Sequence, residues 1–378
     1  MNKTPIQWTW EMGPDGKLIP MSGSTWNPLL GCKEVSPGCK NCYSARLIGT
    51  RFSKNPKLPM YHDIATTAAN GHPHFTGTRR MVPDRLDEPL RTRKGRKVFV
   101  NDMGDLFYEG HPFEDIAAVF GVMAAAKQHT FQVLTKRPER AVEFFAWIET
   151  EAKREALAEP KGSAWWRVLF VLSKIPNDIR TPEVMHGDTT WPLPNVWIGT
   201  SVEDQKSADT RIPHLLRVPA VVWFLSMEPL LEAVDLCRID AFRGAEWPAS
   251  LPGEPRTHYD SLRGSGLRPS WTGVSVETHG GPTINWIIIG GESGPKARPF
   301  RLPWLRSLLE QADAAGVPSF VKQYGSKPQD FFLDMGSEYG GIDSSDFYPV
   351  KLKDSHGGDE SEWAAEFQGR RAFPKVAS

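Results

Sequence analysis

The sequence predicts an α/β protein built on a parallel sheet, a partial or complete parallel (β/α) barrel enlarged by loop-rich insertions. Short apolar or β-branched runs recur along the chain, each followed by a polar loop and then a helical pattern, which is the signature of βα units. More such runs occur than a simple open sheet needs, and no repeat of fixed period suggests a solenoid. At about 150 residues per domain, 378 residues admit two domains or one large decorated barrel. The βα pattern running through the chain favours a single barrel-type domain over 1–378.

Taken in order, Thr25 to Leu30 reads as the first strand. Lys97 to Asn101 follows, then a helix over Phe113 to Lys127 with apolar spacing. Thr130 to Leu134 precedes a helix over Pro138 to Ala156, and Asn195 to Thr200 precedes one over Ala208 to Leu216. Ala220 to Ser226 and Asn285 to Ile289 are the next strands. The helix over Pro303 to Ala315 has proline near its first turn and stops before Gly316-Val317-Pro318, the usual start and stop chemistry. Ser319 to Lys322 is the last strand. Three gaps are too long for one helix and read as insertions near 51–95, 157–193 and 238–282, with 249–281 rich in Pro, Gly, Ser and Arg and without sustained period. In the polar tail 353–378, Trp363, Phe367 and Phe373 are apolar anchors that predict docking onto the body.

Hydrophobic residues make up 40% and charged residues 24%, an ordinary globular composition. Lys plus Arg equal Asp plus Glu at 45 each, so no global field recruits nucleic acid or anionic membrane, and any such binding needs a local patch. No apolar run reaches membrane-span length and the first residues lack a signal-peptide core, so the expected location is cytoplasmic, without membrane association.

Three of the four cysteines, Cys32, Cys39 and Cys42, follow the first strand with the spacing C-x6-C-x2-C. In a cytosolic chain such thiols point to metal binding or catalysis more than to disulfides. Pro37 and Gly38 allow a tight turn that brings Cys32 back toward the other two. Three thiolates can hold three irons of a 4Fe-4S cluster and leave the fourth iron open to a ligand. Structural zinc is the alternative; it wants four ligands, and Cys237, His62, His72 or His74 could complete the set. Buried small residues without metal are a third reading. A loop at the C-terminal end of a barrel strand lies on the face where barrel enzymes place their active sites.

The segments Ile6-Gln7-Trp8-Thr9, Thr25-Trp26-Asn27-Pro28, Gly31-Cys32, Ser36-Pro37-Gly38-Cys39 and Asn41-Cys42-Tyr43 resemble the opening of a family of phage and prophage proteins of largely unassigned activity. That family is grouped with the radical S-adenosylmethionine enzymes. The resemblance continues through Phe131 to Pro138, Gly199 to Gln205, Ser226-Met227-Glu228-Pro229-Leu230, Gly290 to Pro295, Val321 to Gly325, His356 to Asp359 and Glu362-Trp363, and is weakest in the insertions. It implies a radical-SAM-like barrel and a 4Fe-4S cluster held by Cys32, Cys39 and Cys42, with S-adenosylmethionine chelated at the open iron. Reductive cleavage by an electron donor would give a 5'-deoxyadenosyl radical that abstracts hydrogen from a substrate, the cofactor carrying the hard chemistry. One departure is plain: most such enzymes use C-x3-C-x2-C with an aromatic residue before the last cysteine, where this chain has Asn41, with Tyr43 after it as the candidate cofactor contact.

Polar groups follow each strand: Asp102 and Asp105, Lys136 and Arg137, Glu203 and Asp204, Glu228, Glu292, and Lys322 with Gln323. In a parallel barrel these positions converge on one mouth, suiting a zwitterionic ligand, although any one of them can instead be a cap or an ion pair. Asp102, Lys136 and Lys322 are the catalytic candidates, and Glu203, Glu228 and Glu292 the candidates for a cofactor amine or ribose. The paired Gly290 and Gly291 allow close backbone approach to a ligand, and Gly290 to Gly294 match neither a dinucleotide fingerprint nor a P-loop. Arg79, Arg80, Arg85, Arg91, Arg93, Lys94, Arg96 and Lys97 crowd one insertion. Of these Arg91, Arg93, Lys94 and Arg96 are the candidate nucleic-acid patch, a solvated loop being the plain reading. Trp197, Trp223 and Trp286 read as core, and Trp8, Trp10 and Trp26 as a possible ligand wall. The expectation is an iron-sulfur enzyme of radical S-adenosylmethionine type, with a nucleotide or nucleic acid as candidate substrate. The alternative is a non-catalytic, zinc-stabilised nucleic-acid-binding phage protein.

Overall fold

The computed structural model describes residues 1–155, 164–185, 187–240, 258–268, 276–331 and 347–375. Ala156, parts of the insertions at 157–193 and 238–282, and the end of the tail lie outside the described residues. The structure is mixed α/β with a mostly parallel main sheet of eight strands. Among the described residues no closure into a barrel is seen. The chain divides into two compact units, Met1–Thr200 with His214–Trp223, and Ser201–Pro213 with Phe224–Ser378.

In the first unit the sheet order is β1 (Asn2–Lys3), β2 (Ser24–Trp26), β3 (Lys97–Val100), β4 (Thr130–Thr135) and β5 (Val196–Ser201). β1 pairs antiparallel with β2, and the remaining pairs are parallel. Register makes the two faces different. Trp26, Val100 and Val133 align on one face, while Thr25, Phe99, Gln132 and Trp197 align on the other. Parallel strands are normally apolar on both faces. The second face instead carries the buried Gln132, whose Nε2 donates to the Trp8 carbonyl at 3.5 Å.

A short helical turn, α1 (Tyr43–Leu47), follows the cysteine loop, and α2 (Phe113–Ala125), α3 (Pro138–Glu155) and α4 (Trp165–Ser173) pack on one another through aromatic side chains. Phe144 on α3 sits 5.2 Å from Phe120 and 5.8 Å from Phe107 between ring centroids. α4, inside the second expected insertion, packs on α2 because Gly121 lets the two helices touch; a Cβ there would lie 2.2 Å from the Val171 carbonyl oxygen. The first insertion is likewise packed structure: Leu30, Ala45, Ile48, Tyr61, Ile64 and Phe75 belong to one buried apolar cluster.

In the second unit β6 (Trp223–Met227), β7 (Trp286–Gly290) and β8 (Ser319–Gln323) run parallel, β7 in the middle. Every residue of β7, Trp-Ile-Ile-Ile-Gly, is buried, as a strand covered on both faces requires. α5 (Gln205–Leu215) and α6 (Leu302–Ala315) are its helices, and α6 ends on Gly316 in the left-handed conformation, φ 68°. The tail lies on this unit. Trp363 stacks on Tyr324 at 4.9 Å, Phe367 is buried, and Phe373 meets Trp286 and Phe320, each at 5.5 Å. Among the described residues no helix is long and apolar enough to cross a membrane.

Candidate functional site

The cysteine loop begins where β2 has ended. Leu29–Leu30 pairs with Arg80–Met81 from the first insertion, and Gly31 bridges to Gly104 in the loop after β3. Pro37–Cys39 forms the tight turn expected of Pro-Gly, and the Cys42 amide donates to the Cys39 carbonyl at 3.0 Å. Tyr43 Oη and Ser44 Oγ donate to the Asp102 carbonyl at 3.0 and 2.6 Å, tying the far end of the loop to the end of β3. Cys32 and Cys42 pack against the apolar cluster of the first insertion, so that insertion is the wall of the thiol site.

All four cysteines are free and partly buried. Burial pushes the Cys32 thiol up to about 12, with the Asp105 carboxylate adding to the rise and the Arg137 guanidinium opposing it. Burial also raises Cys42. The charge of Cys42 acts on Cys32 and that of Cys39 on Cys42, so the three thiols form one electrostatically linked set. A nucleophilic cysteine needs its thiolate near neutral pH. Cys32 and Cys42 have the opposite bias, and a metal too would have to displace their protons. Among the described residues no group of three or more His, Cys, Asp or Glu is arranged to hold a metal ion. The fit is one of donor chemistry: soft thiols in an apolar wall suit zinc or an iron-sulfur group. Of the expected fourth zinc ligands, His72 lies against the cysteine loop itself. Cys237 belongs to the second unit, where Arg263 Nη1 lies 3.4 Å from its sulfur. His72 Nε2 meets Glu34 Oε1 at 2.9 Å, and His74 stacks on His72 at 6.0 Å.

Asn27 and the loop after β3 form a second layer. Asn27 Nδ2 donates to Asp102 Oδ1 at 2.6 Å and its Oδ1 accepts the Met103 amide at 2.8 Å. Burial raises Asp102 to about 6, against the hydrogen bond from Asn27. Asp105 gathers the end of β4: its carboxylate accepts Thr135 Oγ1 at 2.8 Å, the Lys136 amide at 3.1 Å and Arg137 Nη1 at 3.2 Å. Asn101 is the residue that reading the sequence missed. It is 2% exposed, holds φ at 59°, and neither side-chain polar atom has a hydrogen-bond partner in the structure. A buried carboxamide without a hydrogen-bond partner carries a desolvation cost, while asparagine is among the residues that most readily adopt the left-handed region. The signal in the sequence was a second polar residue beside Asp102 at the end of an apolar strand.

The second unit holds a separate cluster at the ends of its strands. Glu228 accepts Lys322 Nζ at 2.7 and 2.9 Å and Gln323 Nε2 at 3.2 Å, and Gln323 Nε2 also donates to the Gly291 carbonyl and to Ser293 Oγ. This partly exposed pair presents both signs of charge. Glu203 and Glu292 stand differently: Glu203 Oε2 accepts Arg211 Nη1 at 2.7 Å, and Glu292 accepts Arg298 from its main-chain amide and side chain at 2.7–3.1 Å. The two glycines have different reasons. A Cβ on Gly291 would lie 2.1 Å from the Tyr324 carbonyl oxygen, so packing demands glycine there, whereas at Gly290 it would meet only ordinary contacts of 3.4–3.5 Å with Gln323 and Glu228.

Much of the basic stretch is bound into local structure. Arg80 Nη1 donates to the carbonyls of Met60 and His62, Arg85 to Tyr61 Oη, Arg96 to Ser24 Oγ and Lys97 to the Trp10 carbonyl. Arg91 pairs with Asp87 at 2.9 Å, and Arg93 and Lys94 are exposed. Trp26 and Trp8 are buried, with Trp26 Nε1 donating to the Arg85 carbonyl.

A family model described as "Protein of unknown function (DUF5131)" matches residues 17–362. No curated protein and no solved structure matches the chain.

Proposed function

We propose, for a chain that belongs to the family described as Protein of unknown function (DUF5131), that it is an iron-sulfur enzyme of the radical S-adenosylmethionine type on a partial (β/α) barrel. The observation that carries this reading is the three-thiol loop after the first parallel strand, walled by apolar side chains and joined to the ends of β3 and β4. Cys32, Cys39 and Cys42 would hold the 4Fe-4S group, and such a group supplies the electron for reductive cleavage of S-adenosylmethionine. The chain's own part is positioning and exclusion of water. The apolar cluster keeps solvent from the sulfurs. Asp102, whose carboxyl burial raises to about 6, and the Asn101 carboxamide offer polar contacts for a bound molecule beside the loop. Tyr43, partly exposed on the loop, is a candidate stacking surface. The substrate proposed is a nucleotide or nucleic acid, reached through the exposed Arg93 and Lys94.

Anaerobic reconstitution with iron and sulfide tests the reading. It should load about four of each per chain, and Cys39→Ala should lose them. Zinc retained in place of iron, in both aerobic and anaerobic preparations, refutes it and favours a zinc-stabilised nucleic-acid-binding protein.

A further inference from the structure

The cysteine loop and the helical run after it carry a concentration of positive charge. Lys33, Lys40, Arg46, Arg51, Lys54 and Lys57 fall within residues 33–57 against one acid, Glu34, in a chain whose cations and acids balance at 45 each. All six cations are exposed, and among the described residues none of them is ion-paired. Glu34 is itself taken by His72, at 2.9 Å. The stretch at 79–97 is different: Arg79 pairs with Asp115, Arg91 with Asp87, and Arg80, Arg85 and Arg96 donate to oxygens of the fold.

Local structure turns these cations outward. α1 runs directly into a one-turn π-helix, Ile48–Phe52, closed by the Ser53 amide on the Ile48 carbonyl at 2.9 Å. Ser44, Ala45, Ile48 and Gly49 are its buried side, where Ala45 and Ile48 join the apolar cluster and a Cβ on Gly49 would lie 3.0 Å from the Thr66 backbone. Tyr43, Arg46, Thr50 and Arg51 are its exposed side. The apolar side is committed to the core, which leaves a cationic face bearing one aromatic ring. Tyr43 Oη donates to the Asp102 carbonyl at 3.0 Å, fixing the tip of the ring while the residue stays 42% exposed. Single π-turns within helices recur at functional sites.

We infer that this face binds single-stranded nucleic acid, its phosphates on Arg46, Arg51, Lys54 and Lys57 with Lys33 and Lys40 of the loop, and a base stacked on Tyr43. Cations that follow the backbone, together with an aromatic platform, are the chemistry of sequence-tolerant single-strand binding. A membrane surface would need an apolar helix face free to insert, and Ala45 and Ile48 are buried. A duplex keeps its bases stacked within and would leave Tyr43 without a partner. The inference rests on the proposed function only for its nucleic-acid partner, adds a surface to the exposed Arg93 and Lys94, and needs no group on the thiols.

Full-length protein titrated with fluorescein-labelled oligo-dT and oligo-U, read by anisotropy at several salt concentrations, tests this. Six contacts to a single strand give a slope of about −4 in log affinity against log salt. Arg46→Gln combined with Arg51→Gln and Lys54→Gln should reduce that slope by about 2 and weaken binding about a hundredfold at about 0.1 M salt. Lys206→Gln combined with Arg217→Gln and Arg238→Gln, three exposed cations elsewhere in the chain, should bind as wild type does. Tyr43→Leu should bind at least about fivefold more weakly, and Tyr43→Phe as wild type. Circular dichroism checks folding, and if Tyr43→Leu does not fold the arginine variant decides. Binding by that variant equal to wild type overturns the inference, and if Arg93→Gln with Lys94→Gln then abolishes binding, the nucleic-acid partner of the proposed function stands. Wild type that binds neither strand at low salt overturns the inference and that partner together. Tighter binding to a dA·dT duplex or to phosphatidylserine vesicles than to the single strands also overturns it.

Discussion

Replacing Arg211 by Met should cost the protein about 3–5 kcal/mol, the usual consequence of removing one member of a buried ion pair. Glu203 is 0% exposed and Arg211 8% exposed at their side chains, and their N···O separation is 2.7 Å. At an effective dielectric of about 20 that separation corresponds to roughly 6 kcal/mol of gross attraction, most of it offset by the desolvation already borne by both groups. Arg211→Met removes the attraction and the donor to the Ser201 carbonyl at 2.8 Å, but leaves the Glu203 carboxylate where water cannot reach it. The double replacement Glu203→Leu with Arg211→Met removes both charges and should recover at least half of the loss. Urea unfolding at pH 7 followed by tryptophan fluorescence measures this, with an unchanged m-value as the condition for reading the midpoint as stability. The two compact units require that separate transitions be fitted separately. A loss below about 1 kcal/mol for Arg211→Met would refute the reasoning, since the pair would then behave as a surface one. If the chain binds S-adenosylmethionine as proposed, the double variant should bind it equally well in equilibrium dialysis, because the Glu203 carboxylate is wholly buried and paired. Lost binding in a folded double variant would return Glu203 to the ligand site.

Asp102 and Asn101 give two further outcomes. Burial raises Asp102 from 3.8 to about 6, so the native state keeps a proton that the unfolded chain releases. Stability from this group is complete below pH 3.8 and is lost as pH rises through about 6, with a ceiling near 3 kcal/mol from two pKa units. Asp102→Asn should flatten that part of the urea-stability profile between pH 4 and 7, and an identical slope in wild type and variant would dispose of the argument. Asn101→Gly should raise the melting temperature, because it relieves a φ of 59° and deletes two unmet polar atoms, a gain of about 1–3 kcal/mol less glycine's chain-entropy cost of about 0.5–1 kcal/mol. A destabilised Asn101→Gly would show that the carboxamide has a structural partner.

The strands were legible because parallel strands are short apolar runs between loops. Lys97 to Asn101, Thr130 to Leu134 and Asn285 to Ile289 were each read within a residue of their observed bounds. Helix α4 was missed although Trp165–Ser173 is amphipathic, because nine residues in a long gap were read as part of a loop-rich insertion, and its close approach to α2 at Gly121 is a tertiary contact. The two-residue β1 was missed because a strand that short has no periodicity to read.

The site divides along the same physical line. Cysteine spacing is a local signal, and the turn at Pro37-Gly38 needed only local chemistry. The strand-end charges were visible as residues but not as partners. Glu228 with Lys322 and Glu203 with Arg211 look alike in sequence, each an acid near a strand end, yet one pair is partly open to solvent and the other is closed. What distinguishes them is desolvation, a property of everything packed around them. The basic stretch makes the same point. Arg80, Arg85 and Arg96 looked like a patch, but their guanidinium groups satisfy carbonyl, phenol and hydroxyl oxygens of the fold, so their charge serves folding before it can serve a phosphate. Charge counted along a chain therefore overstates a binding surface wherever arginine is also the donor that completes buried backbone, and the test of such a patch belongs on Arg93 and Lys94, which the fold leaves exposed.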